Sequence, residues 1–312
     1  MSHPVHFGVT LPQFKRTWAQ ARDAATEFDR LGFDSVWVCD HLYGVPMPNL
    51  PILEGWTELA AVAAITENVG LGTLVTPPFF RNPAVLAKQI ATIDQISGGR
   101  TIAGLGAGWF ELEFKSYGCE FPPVRERLRA LEESVRIMKG MWTEETFTFE
   151  GEHASVVDVH CEPKPVRPPP ILIGGSGEKV LMGIVARHAD IWNNMAATQA
   201  QLPEKIEAMK RRCDREGRDF DTLVVSQQCV VIIAPDDDGA QAALQKAGKI
   251  YGGHMGGDLE KTGIWGTPQG VIDRIGRYVD MGCTSFLIEF FGKDTREPAR
   301  LFAEKVMPAF RS

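Results

Sequence analysis

No stretch of this 312-residue chain is apolar for long enough to span a membrane. The opening Met1-Ser-His-Pro-Val-His-Phe7 has neither the basic start nor the apolar run of a secretory signal. A cytoplasmic protein with no membrane partner is expected. Cysteine is sparse and scattered: Cys39, Cys119, Cys161, Cys213, Cys229 and Cys283 form no C-x-x-C pair. That leaves no zinc spacing and no secreted disulfide framework, and reduced thiols are the better reading. Dense basic runs are missing too. With a formal charge of −7 and an isoelectric point near 5.6, the chain offers no nucleic-acid face. Neither a P-loop nor a serine nucleophile elbow occurs. His153, His160 and Cys161 lack ligand-like spacing, so no metal is expected.

What the chain does have is a 44% hydrophobic, 23% charged composition, that of a globular protein with a sizeable core. Short apolar, β-rich runs occupy 5–11, 35–39, 69–76, 102–108, 171–173, 190–193, 223–233 and 284–289. Between them lie helical patterns. Thr17 is placed to cap a helix carrying Ala21, Ala24, Ala25, Phe28 and Leu31, and Pro83 to start another. Residues 124–142 and 178–187 read as further helices, 147–159 as a β-hairpin, and the glycine-rich 251–265 as a mobile active-site flap. Strand–helix alternation implies parallel strands with helical crossovers, and about eight such units close a barrel. The expected fold is a single (β/α)8 TIM barrel over 1–312 with an inserted hairpin and loops. A doubly wound open sheet is the competing arrangement.

In such a barrel the chemistry gathers at the carboxyl ends of the strands. Those ends carry Asp40-His41, Thr73 to Thr76, Gly106-Ala107-Gly108 and Gly174-Gly175-Ser176-Gly177. Glycine at 104, 106 and 108 strips side chains from one face of a strand end, which lets a flat ligand approach the backbone or simply makes a tight corner. Gly174 to Gly177 runs from an apolar strand into a helix, where free N–H groups suit a phosphate. Asp40 is placed to orient the His41 imidazole. A flat heterocycle with a phosphorylated tail fits this pattern better than hydrolysis does.

Taken together, Ser35-Val-Trp-Val-Cys-Asp40-His41, Leu71-Gly-Thr-Leu-Val-Thr76 with Arg81-Asn-Pro83, and Ile96-Ser-Gly-Gly-Arg100 resemble the bacterial luciferase-like monooxygenase superfamily. So do Gly104-Leu-Gly106-Ala-Gly108-Trp109-Phe110-Glu111 and Ile171-Leu-Ile-Gly174-Gly175-Ser-Gly177, and the coenzyme F420-dependent branch is the nearer likeness. The resemblance implies a barrel that binds the deazaflavin F420, or alternatively FMN. It places Asp40 and His41 beside the redox ring, a non-prolyl cis peptide at Thr73-Leu74 behind it, and Gly106, Ala107 and Gly108 beneath it. Thr76 lies at the same strand end, and Gly174, Gly175 and Ser176 would hold the phosphate. His41, Asp40, Trp109 and Glu113 are the candidate catalytic residues, with Glu111 beside them as a further acid.

The sugar-phosphate dehydrogenase branch has a glutamate where Trp109 stands, and a tryptophan near Val45. This departure argues against glucose 6-phosphate as substrate. The expectation is hydride transfer between F420 and a small organic molecule, an alcohol/aldehyde or an activated double bond, by a homodimer. The alternatives are an FMN-dependent monooxygenase fed by a separate reductase, and a non-catalytic flavin-binding barrel.

Overall fold

The computed structural model describes residues 4–45, 47–251 and 258–311. The chain opens with β1 (His6–Thr10), α1 (Trp18–Arg30), β2 (Ser35–Val38), α2 (Gly55–Ala63), β3 (Gly70–Thr73), α3 (Pro83–Ser97) and β4 (Thr101–Leu105). Two helices follow, α4 (Glu111–Ser116) and α5 (Val124–Thr143), then the hairpin β5 (Phe147–Glu150) and β6 (Ser155–Val159). The middle of the chain is β7 (Ile171–Gly174), α6 (Leu181–His188), β8 (Ile191–Asn194), α7 (Leu202–Glu216) and β9 (Val224–Ile233). It finishes with α8 (Asp237–Tyr251), α9 (Leu259–Thr262), β10 (Ile264–Gly266), α10 (Pro268–Asp280), β11 (Ser285–Phe290) and α11 (Arg296–Lys305).

Eight strands close a parallel ring in the order β1-β2-β3-β4-β7-β8-β9-β11, and β11 pairs back to β1. This is the (β/α)8 barrel expected from the alternation, with the β5–β6 hairpin as an insertion. The open-sheet alternative is excluded by the β8–β9 and β11–β1 ladders.

Local chemistry starts the helices where the sequence predicts. Thr17 and Gln20 form a reciprocal capping box on α1. Asn82 accepts from the Ala84 and Val85 N–H groups ahead of Pro83 in α3. Outward strand residues such as Phe7, Val9, Val36 and Ile288 are buried beneath the helices. The interior is filled by side chains, chiefly Trp37, Leu172 and Leu287. Room for the Trp37 indole comes from the neighbouring strands: a Cβ on Gly8 would meet its Nε1 at 2.5 Å, and one on Gly72 its ring at 2.3 Å. Its Nε1 donates to Ser35 Oγ at 2.7 Å, so no buried donor is left over. Arg100 serves the opposite end of the barrel from the site. It donates to the carbonyls of Ala63, Thr66, Val69 and Ser97, fastening the turn before β3 to the end of α3.

Two expectations need correction. The flap read over 251–265 is in part ordered structure: 258–265 contains α9 and the start of β10, while residues 252–257 lie outside the described residues. Leu259 packs with Val230, Ile232, Leu244 and Ala247, and β10 adds to the far end of β9. Elements of four and three residues are too short to show a period, which is why glycine dominated the reading. The helix read from Glu178 begins at Leu181. Val180 ahead of it has no side-chain oxygen to cap with, and residues 178–180 form a turn.

Candidate active site

Beyond β2 the chain turns across the mouth of the barrel and delivers Asp40 and His41 in different directions. Asp40 is buried and accepts two hydrogen bonds from one guanidinium, Arg81 Nη1 to Oδ2 at 2.6 Å and Nη2 to Oδ1 at 2.9 Å. Arg81 also reaches Glu54, which caps α2 through the N–H groups of Trp56 and Thr57. Burial pushes the Asp40 carboxyl up, and the attraction and hydrogen bonds of Arg81 oppose it. Asp40 therefore does not orient the imidazole, contrary to the expectation drawn from its position next to His41.

Glu113 has that role. Its carboxylate lies 2.8 Å from His41 Nδ1 and also accepts from the Leu42 and Tyr43 backbone N–H groups. A carboxylate only accepts, so Nδ1 carries the proton in this contact and Nε2 is left for other chemistry. The six-residue α4 sorts its two acids by face. Glu113 is buried, whereas Glu111 is exposed and paired with Lys115 at 2.7 Å. Trp109, 54% exposed, stands edge-on to the imidazole with ring centroids 6.3 Å apart, and Phe110 packs against it.

The β3 end departs from expectation in two ways. The non-prolyl cis peptide is Leu74–Val75, one bond later than Thr73-Leu74. Leu74 N–H still donates to Val38 O at 2.7 Å, so the ladder to β2 holds through that residue and the chain turns away after it. Thr73 is wholly buried with its hydroxyl donating to Gly104 O at 2.7 Å, and Thr76 donates to Thr73 Oγ1 while accepting from Trp56 Nε1. These hydroxyls brace β3 against β4 and α2.

The strand-end glycines make room for protein atoms. A Cβ on Gly104 would meet Thr73 O at 1.7 Å, one on Gly106 would meet Val75 Cγ2 at 2.5 Å, and one on Gly174 Val75 Cγ1 at 3.0 Å. Val75 thus lies on both Gly106 and Gly174 and forms the back of the site. Ala107 and Gly108, half-buried, offer their carbonyls to Arg127, whose guanidinium is 3.9 Å from the Phe121 ring centroid. Gly175 has φ +136°, and its carbonyl accepts from Trp192 Nε1 at 2.8 Å. Next to it the backbone N–H groups of Ser176, Gly177, Glu178 and Lys179 have no acceptor among the described residues, just ahead of α6.

Several mouth residues were not singled out from the sequence. Glu289, two positions beyond the inward Leu287 on β11, accepts from the Tyr251 hydroxyl at 2.7 Å. Gln13 bridges Cys39 and Glu58, with its Nε2 donating to Cys39 O at 3.1 Å and to Glu58 Oε2 at 3.3 Å. Burial, followed by the carboxylates of Glu289, Asp40 and Glu58, pushes the Cys39 thiol up, which makes it a poor nucleophile. Alternation along β11, with Leu287 inward, could have flagged Glu289. Glu58 sits at a core position of an apolar helix, a signal in itself.

Burial pushes Glu58 up to about 7, with repulsion from Glu54 adding to it and the Gln13 hydrogen bond opposing it. The folded state therefore holds this proton more tightly than the unfolded chain does. The stabilisation is complete below about 4.5 and is lost as pH rises through about 7. Glu58→Gln is expected to be more stable than the parent at pH 8, by up to about 3 kcal/mol, with the gap closing toward acid pH. Thermal melts across that range check it, and a pH-independent difference would contradict the assignment.

All of these groups converge on the carboxyl ends of the strands, where barrel enzymes carry their reacting groups, and by that placement the chain is a barrel enzyme. Residues 1–285 match the model of the luciferase-like monooxygenase family, and the chain belongs to that family. A relative from Microbacterium testaceum, named F420-dependent glucose-6-phosphate dehydrogenase, is 28% identical over 100% of this chain and 99% of its own length. One of the same name from Nakamurella multipartita is 29% identical over 99% and 97%. Among solved structures, an F420-dependent secondary alcohol dehydrogenase in complex with an F420-acetone adduct superposes with a TM-score of 0.86 at 23% identity. The match covers 99% of this chain and 100% of that one. Among the described residues no group of His, Cys, Asp or Glu could hold a metal ion, and no helix is long and apolar enough to cross a membrane.

Proposed function

We propose that the chain transfers a hydride between coenzyme F420 and a small organic substrate, an alcohol/aldehyde pair or an activated double bond. The observation that carries this reading is the His41–Glu113 pair at the barrel mouth, an imidazole held by a buried carboxylate. The residues present fit the cofactor. The unpartnered N–H groups of Ser176 to Lys179 suit a phosphate, and Val75 on Gly106 and Gly174 supplies an apolar backing for a ring.

Bound F420 supplies the hydride donor or acceptor. His41 Nε2 takes the proton from a substrate hydroxyl in one direction and returns it to the carbonyl oxygen in the other. Glu113 fixes the tautomer and stabilises the imidazolium while that proton is held. Trp109 and Phe110 wall the site with apolar surface. The Arg81–Asp40 clamp holds the turn that carries His41. A homodimer is part of the proposal, with exposed Val85 and Ile96 on α3 offering apolar surface, and light scattering reads it.

Titration with F420 followed on its chromophore, then turnover with a panel of secondary alcohols and enones, tests the reading. Saturable binding of FMN in place of F420, with oxygen consumed once a reductase is added, would point to the monooxygenase instead. Cofactor binding without turnover of any substrate would leave a binding barrel.

A further inference from the structure

The inward-facing positions near the mouth divide into two halves. Strand partners in register share a face, and Trp37, Leu172 and Leu287 mark the inner one. On the β3–β4–β7 side that face is apolar or bare above the plug: Leu74, Gly106 and Gly174, with Val75 lying on both glycines. The opposite side is polar. Asn193 on β8 is in register with Gly174, Gln228 on β9 with Leu287, and Glu289 on β11 follows Leu287 by two positions. Thr10 on β1, paired with Trp37, completes this arc. His41 follows β2, which lies between β1 and β3, so the imidazole stands where the two halves meet.

The fold does not use up the polar half. Asn193 is only 2% exposed, and its Oδ1 accepts from the Ser226 hydroxyl at 3.2 Å. That bond sets the amide so that its NH2 is the free end, and Nδ2 has no acceptor among the described residues. Gln228 is half-buried. Its backbone carbonyl accepts from Gln227 Nε2 at 2.6 Å, while its own side-chain amide has no partner among the described residues. Glu289 Oε1 accepts from the Tyr251 hydroxyl at 2.7 Å, and a carboxylate has lone pairs for further donors. The outer face of the same strands behaves differently: Asn194 Nδ2 donates to Gln227 Oε1 at 2.8 Å, both side chains wholly buried. Buried amides are ordinarily paired in this way, so two uncommitted ones on the inner face call for a ligand.

Together these groups offer amide donors, an amide acceptor and a carboxylate acceptor, with no lysine or arginine among them. A hydroxyl group, which both donates and accepts, answers that set, whereas an anion meets repulsion from Glu289 and a plain alkyl chain leaves the amides unpaired. We infer that Asn193, Gln228 and Glu289 seat the substrate, and that the substrate is an uncharged polyol, with hydroxyls beyond the one that reacts at His41. This rests on the F420 reading above and deepens it, the ring taking the glycine half and the substrate the polar one.

The test uses three alcohols on the same four-carbon chain: 2-butanol, 2,3-butanediol and erythritol. With F420 as acceptor, kcat/KM should rise along the series, by about 10²-fold or more from 2-butanol to erythritol, because a site built to bond hydroxyls rejects the analogue that lacks them. Gln228→Met keeps the volume and removes the amide, and should narrow the erythritol to 2-butanol ratio by about tenfold. Glu289→Gln still accepts from Tyr251 but loses the charge, and should narrow it as well. Circular dichroism melts establish that each variant is folded. Saturation-transfer NMR on the protein without cofactor reads the seat directly, with transfer to erythritol expected in the parent and weaker transfer in Gln228→Met. Equal kcat/KM along the series, or a ratio unchanged in both variants, would overturn the polyol seat and leave hydride transfer to F420 in place. Failure of F420 to bind, with saturation transfer to erythritol intact, would overturn the cofactor reading and leave the seat standing.

Discussion

His41→Ala is expected to lower turnover by about 10²- to 10⁴-fold, the range for loss of a positioned general acid–base group, while F420 still binds. The imidazole has its Nδ1 held by a buried carboxylate and its Nε2 left for substrate. Glu113→Gln makes the companion measurement. A glutamine oxygen still accepts from the Leu42 and Tyr43 N–H groups, but the amide NH2 faces Nδ1 and favours the opposite tautomer. Turnover should fall about 10- to 100-fold, with the melting temperature close to that of the parent. Single-turnover mixing with saturating cofactor separates chemistry from binding. Full turnover by the alanine variant with cofactor bound would remove His41 from the mechanism.

Arg81→Met is expected to destabilise the fold by about 3–5 kcal/mol, the cost of leaving a buried charge without its partner. The Asp40 side chain has no exposed surface and accepts two hydrogen bonds from this guanidinium. Methionine keeps most of the volume, so the loss reads the charge and not a cavity. Pairing the change with Asp40→Asn should recover most of the stability, because the uncompensated carboxylate is then gone. Urea unfolding of the two single variants and the double variant at neutral pH gives the coupling directly. Strict additivity would mean that Asp40 and Arg81 do not act as a pair.

The barrel was legible in the sequence because each strand is apolar on the face that the helices cover, as Phe7, Val9, Val36 and Ile288 are, and turn residues bound each run. Asp40 and His41 were legible because they end a buried strand. Their partners were not. Arg81 lies 41 residues beyond Asp40, and Glu113 72 beyond His41, so only the folded topology joins them. Two acids two positions apart on a short helix face opposite ways, but the sequence alone does not say which turns inward. The glycine pattern was read as room for a close approach, and the protein atoms that make one at Gly104, Gly106 and Gly174, Thr73 O and Val75, come from β3 and the turn after it, a juxtaposition only the fold creates. Likewise α9 and β10 escaped notice because their apolar residues pack on β9 rather than repeating along their own length.

Trp37, wedged between Gly8 and Gly72 with Leu172 and Leu287 around it, makes the barrel a well with a sealed bottom. Traffic to His41 is consequently one-way in and the same way out. A molecule that reaches His41 therefore leaves through the same opening by which it came.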